Sequence, residues 1–346
     1  MSNQKLFNVA VVGATGAVGE QIIGLLEQRD FPIGELKLLS SARSAGKKLM
    51  FKEIEYTVEE AVPESFKGVE IALFSAGGDV TKALAPHAVE HGAVCIDNTN
   101  AYRMDPDTPL IVPEVNLDKV NDHRGIIANP NCSTIQMVTA LKPLQDSYGI
   151  SRIIVSTYQA VSGAGSRAID ELLRQTREVL DGHVVNPDIL PVGSLPVKHQ
   201  IAFNAIPQID KFQDNGYTLE EMKMVRETKK IMDDESIEVT ATCVRIPVVY
   251  GHSESVYVEL KNDYELEDVK KLIADAPGVV LVDDPQGQMY PLATEAAGKP
   301  EVFVGRLRRD LGHARGLNLW IVSDNLLKGA AWNAVQIAEY IAIEKQ

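Results

Sequence analysis

Leu6 to Val12 is an apolar run broken only by Asn8. It gives way at once to Gly13-Ala14-Thr15-Gly16-Ala17-Val18-Gly19 and then to a helical pattern through Ile22, Ile23, Leu25 and Leu26. Strand, glycine-rich turn and helix in that order commit this part of the chain to a βα unit of a parallel sheet. Glycines let the backbone turn sharply and approach a pyrophosphate, whose charge meets the N-terminus of the following helix. The spacing is G-x-x-G-x-x-G, not G-x-G-x-x-G, and glycine turns are common in α/β proteins. The strand-to-helix context nevertheless favours a dinucleotide, with Gly13, Thr15, Gly16, Ala17 and Val18 as its neighbours.

The second strand selects among dinucleotides. After Leu36-Lys37-Leu38-Leu39 comes Ser40-Ser41-Ala42-Arg43-Ser44-Ala45-Gly46-Lys47, where an NAD enzyme would place an acid against the ribose 2′-hydroxyl. Hydroxyls at Ser40 and Ser44 with the guanidinium of Arg43 suit a 2′-phosphate, so NADP(H) is the expected cofactor. The competing reading is a solvated basic loop. Alternation then continues, with a strand at 69–74 ending in Ser75-Ala76-Gly77-Gly78, a helix over 80–91, and a strand at 94–96 ending in Asp97-Asn98-Thr99-Asn100. Strand ends of this kind line the cleft of a doubly wound sheet, which adds Ser75, Gly77 and Asn98 to the cofactor candidates.

Cys132 lies in Asn129-Pro130-Asn131-Cys132-Ser133-Thr134, between a short buried strand at 125–128 and a helix built on Ile135, Val138, Leu141 and Leu144. Pro130 biases Asn129 away from helical angles, and Asn131 or Ser133 can cap the helix. At a helix N-terminus, unpaired N–H groups and the dipole favour a thiolate, which makes Cys132 a candidate nucleophile. Free cysteines are more often buried and structural, the reading given to Cys95 and Cys243 in their apolar strands. Three cysteines without C-x-x-C spacing argue against disulfides and zinc, and no metal is expected.

The chain of 346 residues is long enough for two domains, expected at 1–132 with 325–346 and at 133–324. A net charge of −14 disfavours nucleic acid, so an anionic substrate must be held by individually placed cations. With no charged-then-apolar leader before Leu6 and no apolar run of about 20 residues, the expectation is a cytoplasmic chain that neither crosses nor sits on a membrane.

From Ser151 onward the pattern changes to long alternating strands at 152–158, 237–249 and 256–260, which predict a mixed or antiparallel sheet. Helices are expected at 168–180 and 218–232, with a Pro-rich loop at 187–207 between them and an amphipathic helix at 325–343. The fold class is therefore α/β: an N-terminal Rossmann-like doubly wound sheet plus an α+β substrate and dimerisation domain. Gln159 ends one strand and precedes a backbone-accessible glycine turn whose Ser162 and Gly163 are further cofactor candidates. Glu220 and Lys223 share a helix face, Arg245 lies in a strand, and His252 sits in the turn Tyr250-Gly251-His252-Ser253-Glu254. Taken singly these are a surface pair, a strand-edge arginine and a turn histidine; only together with Cys132 do they suggest chemistry.

GATGAVG at 13–19, NPNCSTIQ at 129–136, TYQAVSGAG at 157–165 and RIPVVYGHSESV at 245–256 resemble the aspartate-β-semialdehyde dehydrogenase family over nearly the full chain. The resemblance implies a Cys132 thioester, His252 as acid/base, Gln159 positioning the acyl group and Arg245 gripping the substrate carboxylate. Glu220 would meet the substrate ammonium, Arg103 with Lys223 would hold the phosphoryl group, and Asn325 would contact the nicotinamide end of the cofactor. The implied reaction is NADPH-dependent reductive dephosphorylation of L-aspartyl-4-phosphate by a homodimer, feeding lysine, threonine and methionine synthesis. Chemically this is coherent, because a thiolate displaces phosphate readily and a thioester accepts hydride where a carboxylate does not. The nearest rival, N-acetyl-γ-glutamyl-phosphate reductase, has no free ammonium for Glu220 to meet. An NADPH-sensing binding protein would bind without turnover, and a cysteine hydrolase would leave the glycine turn and Arg43 without a role.

Overall fold

The computed structural model describes residues 5–345, organised as two compact units. One takes in the chain up to Asn131 together with the chain from Ala330 onward; the other runs Cys132–Gly329. Residues 1–4 and 346, which include the start read for a leader and the ends of the expected first domain, lie outside the described residues. Among the described residues no helix is long and apolar enough to cross a membrane.

In the first unit β1 (Phe7–Val12) leads through the glycine turn into α1 (Ala17–Gln28) and returns as β2 (Ile33–Ser40). A small hairpin of β3 (Lys48–Phe51) and β4 (Ile54–Thr57) precedes the two-residue β5 (Glu59–Glu60). Then come β6 (Ile71–Phe74), α2 (Gly78–Glu90), β7 (Val94–Asp97), the short α3 (Pro113–Asn116) and β8 (Ile126–Ala128). Six strands form one parallel sheet in the order β5-β2-β1-β6-β7-β8. The order reverses at β1, where a doubly wound sheet opens its ligand crevice at the strand C-termini. The strands are continuous apolar runs because helices cover both faces; Ala10, Val12, Ala72, Phe74 and Cys95 are buried together against Leu84, Ala85 and Ala88 of α2.

The second unit opens with α4 (Cys132–Tyr148), followed by β9 (Ile150–Gln159), α5 (Ser166–Leu180), α6 (Leu219–Met232), β10 (Glu238–Arg245) and β11 (His252–Leu260). After α7 (Leu266–Ala274) come β12 (Val279–Leu281), α8 (Ala293–Ala296), β13 (Val302–Arg309) and β14 (Gly316–Ser323). The sheet is mixed, in the order β10-β9-β11-β14-β13-β12, with parallel pairs at its two ends and antiparallel pairs between. Helix α4 packs on β9, β11, β13 and β14, and α6 packs on β10. Alternation along β9 buries Ile153, Val155, Thr157 and Gln159 and leaves Ile154 and Tyr158 on the opposite face.

The last helix, α9 (Trp332–Glu344), belongs to the first unit. Arg29, which caps the C-terminal end of α1, forms a two-pronged ion pair with Glu339 and lies over the Trp332 ring, while Asn333 donates to the carbonyl of Ile111 at 3.0 Å and the side chain of Asn129 at 2.7 Å. Three local expectations need correction. The helix predicted from Asn325 begins only after a π turn at Leu327–Ala331, and Asn325 falls in the second unit because its amide is consumed there by Ser162 and the Gly251 N–H. Cys132 likewise starts the second unit, since it opens α4. The strand predicted at 237–249 stops at Arg245, two residues before Pro247, which has no N–H to donate to a ladder.

Candidate active site

Within the first unit a cavity of about 800 Å³ opens at the C-terminal ends of β1 and β2, walled by Val12, Gly13, Thr15, Gly16, Ser40, Arg43, Ser44 and Ser75 among others. Gly13 has φ +88°, and a Cβ there would lie 2.6 Å from the carbonyl oxygen of Ser75, so only glycine lets the two strand ends converge. Gly16 caps α1 without a side-chain hydrogen bond, leaving the helix N–H groups for an anion. Thr15 and Ser40 hydroxyls are 3.0 Å apart, which ties the glycine turn to the end of β2. Arg43 is exposed and Ser44 is buried. Ala17 and Val18 occupy the first turn of α1 and Gly77 caps α2; these three are not among the cavity walls. Lys47 and Glu60 are. Neither was predicted: Glu60 reaches the cavity because the two-residue β5 pairs with Ser40, a contact no local pattern announces.

Arg103, also in this unit, is buried and donates from Nε to the carbonyl of Asn129 and from Nη2 to that of Asn98, each at 2.9 Å. Asn98 turns its own amide to the Phe74 carbonyl at 3.2 Å, so it trims the end of β6.

In the second unit the strand register assembles a row of polar side chains on the helix-covered face. Arg245 pairs with Gln159 across the parallel β10–β9 ladder, and His252 pairs with Ser323 across β11–β14. His252 is therefore the first residue of a central strand rather than a turn residue, because the turn is completed by Gly251 at φ +90°. All three side chains of the row are buried: Gln159 1%, Arg245 4% and His252 0% exposed. Gln159 accepts from the Thr157 hydroxyl at 3.0 Å and turns its Nε2 toward Glu220 at 3.2 Å and His252 Nε2 at 3.3 Å. Lys223 joins Glu220 at 3.0 Å and Asp210 at 3.2 Å, so the pair read as a shared helix face is an ion pair at the end of this network. Arg245 donates to the carbonyl of Ala160 at 2.6 Å.

Gln159 is followed by a turn that closes over the row. A Cβ on Gly163 would come within 3.1 Å of Arg245 Nη1 and 3.4 Å of His252 Nε2. Ser162 exchanges hydrogen bonds with the Asn325 amide, at 3.0 and 3.2 Å. Gly163 is placed against the histidine and arginine of its own unit, and Ser162 against Asn325. Cys132 stands at the first position of α4, half-buried, and Gly329 approaches so closely that a Cβ there would lie 2.7 Å from that of Cys132. Cys95 and Cys243 are buried, and burial pushes both thiols up, Cys95 to about 12.

Burial and the Arg245 charge hold His252 down, to about 3, with Glu220 opposing them; burial also lowers Arg245. Beneath the row lies a second one, in which Glu254, opposite Thr157, is wholly buried with both oxygens lacking a hydrogen-bond partner among the described residues. Burial raises its carboxyl well above the ordinary value, which favours the neutral form. Gln136 on α4 donates to the His252 carbonyl at 3.4 Å and accepts from Ser323 at 2.8 Å. Of the residues the sequence reading passed over, Thr157 was within reach, since alternation puts it on the face of Gln159; Ala160, Gly329 and Gln136 act by backbone or by distant packing and carried no signal.

The two units coincide with two family models. Residues 8–123 match the NAD binding domain of semialdehyde dehydrogenase and residues 141–328 match its dimerisation domain. The aspartate-semialdehyde dehydrogenase of Bacillus subtilis is 62% identical over 333 residues, 96% of each chain. The chain belongs to the aspartate-semialdehyde dehydrogenase family. The Aquifex aeolicus member is 54% identical and covers 98% of each chain. The crystal structure of aspartate semialdehyde dehydrogenase II from Vibrio cholerae has TM-score 0.91 at 50% identity, covering 97% of this chain and 98% of that one, and a second structure of it is complexed with ASA. A Candida albicans aspartate semialdehyde dehydrogenase with NADP has TM-score 0.73 at 25% identity, with 97% and 98% covered. For this aspartate-semialdehyde dehydrogenase family member, the Rossmann-like unit and the mixed-sheet unit are therefore the nucleotide-binding and dimerisation domains respectively.

Proposed function

We propose that this family member carries out NADP(H)-dependent interconversion of L-aspartyl-4-phosphate and L-aspartate-4-semialdehyde through a thioester on Cys132, serving lysine, threonine and methionine synthesis. The observation that carries the reading is the buried row Arg245–Gln159–His252 in the unit whose α4 opens with Cys132. A thiolate at the start of α4 is favoured by the helix dipole and attacks the acyl phosphate; the C–O bond breaks and phosphate leaves. NADP(H), when bound, supplies the hydride that reduces the thioester. Gln159, held by Thr157, orients the acyl group. Arg245 offers a planar fork to the substrate carboxylate, Glu220 faces its ammonium, and Lys223 and Arg103 serve the phosphoryl group. The cradle fits NADP(H): Gly13 keeps a wall open, the start of α1 is uncapped, and Arg43, Lys47, Ser40 and Ser44 suit a 2′-phosphate against the single carboxylate of Glu60.

In the reverse direction, semialdehyde, NADP and phosphate should give NADPH, and Cys132→Ala should reduce the rate to background. NADPH formation that ignores phosphate or survives the substitution overturns the thioester route. Activity with the N-acetylglutamyl aldehyde instead would transfer the reading to the rival reductase. The homodimer would form through the sheet face turned away from α4 and α6, where Ile154 is exposed beside the half-buried, packed rings of Tyr158 and Trp320. Sedimentation should give twice the chain mass, and Trp320→Glu should shift it toward one; a wild-type monomer sinks the assignment.

A further inference from the structure

Residues 206–211 run between Arg245 and Lys223. Ile206 exchanges backbone hydrogen bonds with Arg245, at 2.9 Å in each direction, and the Lys211 carbonyl accepts from the Leu219 N–H at the start of α6 at 2.8 Å. Ile206 and Ile209 are buried, so the segment is tied at both ends and packed along its length. Within it Asp210 takes φ +68°, in the left-handed region that is costly for most residues and that Asp and Asn tolerate best. Asp210 Oδ1 accepts from the Lys211 N–H at 2.9 Å, and its carbonyl accepts from the Gln208 amide at 3.2 Å. Its other oxygen, Oδ2, is 3.2 Å from Lys223 Nζ, which also lies 3.0 Å from Glu220 Oε2. The side chains of Asp210, Lys223 and Glu220 are 29%, 17% and 7% exposed, so their charges act on one another with little screening by water.

A strained and anchored carboxylate beside Lys223 does nothing to hold a phosphoryl group, because it repels an anion. It does serve an ammonium. The charges of Lys223 and Arg245 both act on Glu220, and two cations around one carboxylate weaken its attraction for a third. Asp210 takes a share of the Lys223 charge and adds a negative charge next to Glu220. We propose that Asp210 is a positioning residue that sets substrate specificity: by sharing Lys223 with Glu220 it keeps the Glu220 carboxylate attractive to a free α-ammonium, so that the site selects an amino-bearing acyl phosphate or aldehyde over an N-acylated one. The proposal rests on the assignment of Glu220 to the ammonium and Lys223 to the phosphoryl group, and names the residue that balances them. Asp210 makes or breaks no bond and moves no proton. The charge that favours the ammonium also loosens the hold on phosphate, so the two ends of the reaction respond to its removal in opposite directions.

The test is steady-state kinetics of Asp210→Asn in the reverse direction, with KM measured separately for L-aspartate-4-semialdehyde and for phosphate. Asn suits the left-handed backbone and keeps an oxygen for the Lys211 N–H, so only the charge is lost. KM for the semialdehyde should rise about fivefold or more and KM for phosphate should fall about twofold or more, while kcat changes by less than about threefold. General damage to the site raises both KM values, so opposite signs are a mark that a merely structural residue does not leave. KM values that rise together, or that both stay at the wild-type level, overturn the proposal. Glu220→Gln separates the proposal from the reading beneath it. If Glu220→Gln leaves the semialdehyde KM unchanged, the ammonium assignment falls and Asp210 falls with it; a raised KM in Glu220→Gln beside an unmoved one in Asp210→Asn refutes the part given to Asp210 alone.

Discussion

In the first unit the cavity walls are mostly backbone and short hydroxyls set on turns after parallel strands, while in the second the working groups are long side chains buried on a sheet face. The first arrangement binds by shape: Gly13 and Gly16 keep space open, and the end of a helix supplies partial charge. The second binds by pairing among its own side chains, as Glu220 does with Lys223 and Gln159. A backbone cradle tolerates water and can be built by neighbours in sequence. A buried polar row cannot, because each unpaired group there costs the full desolvation of that group. The row is therefore assembled from different strands so that partners meet.

Two glycines put this contrast at risk most sharply. Gly13→Ala adds a Cβ 2.6 Å from a backbone carbonyl at positive φ, and neither wall can yield cheaply. Its expected outcome is about 1–3 kcal/mol of lost stability and cofactor affinity down by tenfold or more, read by thermal melting and fluorescence titration. Gly163→Ala meets only the side-chain ends of Arg245 and His252, so kcat should fall while the melting temperature holds. If both variants melt alike and bind cofactor alike, the distinction between cradle and row is wrong.

A smaller effect is expected at Arg43, which is exposed on the cavity rim. Arg43→Ala should weaken NADPH about tenfold more than NADH; equal losses would return Arg43 to a solvated loop and make Glu60 the residue that meets the ribose. The smallest test concerns Glu254. With its carboxyl raised in the fold, it holds its proton to higher pH than in the unfolded chain, so its contribution is intact below the ordinary carboxyl value of 4.5 and is lost as pH rises toward its raised folded value. Glu254→Gln should therefore gain in melting temperature relative to wild type as pH rises from 5 to 8. A difference that is flat with pH would mean that Glu254 is charged in the fold.

Much of the first unit could be read along the chain, since β1, the turn and α1 are contiguous and each follows from local pattern and glycine conformation. The site in the second unit could not be reached that way. Nothing in Tyr250-Gly251-His252-Ser253-Glu254 distinguishes a surface turn from the head of a central strand, and His252 looked like the former until β14 was placed beside it. Motif resemblance named Cys132, Gln159, Arg245 and His252, but it was silent on Ala160, whose part is played by a peptide group that every sequence contains.

By itself the sequence determined the alternation of elements, the glycine turn, the helix start at Cys132 and the polar identity of the candidate groups. These are local properties, set by dihedral preferences and by periodicities of two and 3.6 residues. Only the tertiary structure decided that Glu60 shares a cavity with Arg43, that Asn325 is tied to Ser162 and that His252 receives a hydrogen bond at Nδ1. Those contacts depend on strand register and on which backbone groups are left over once the sheets have formed, and register is settled by packing across the whole unit.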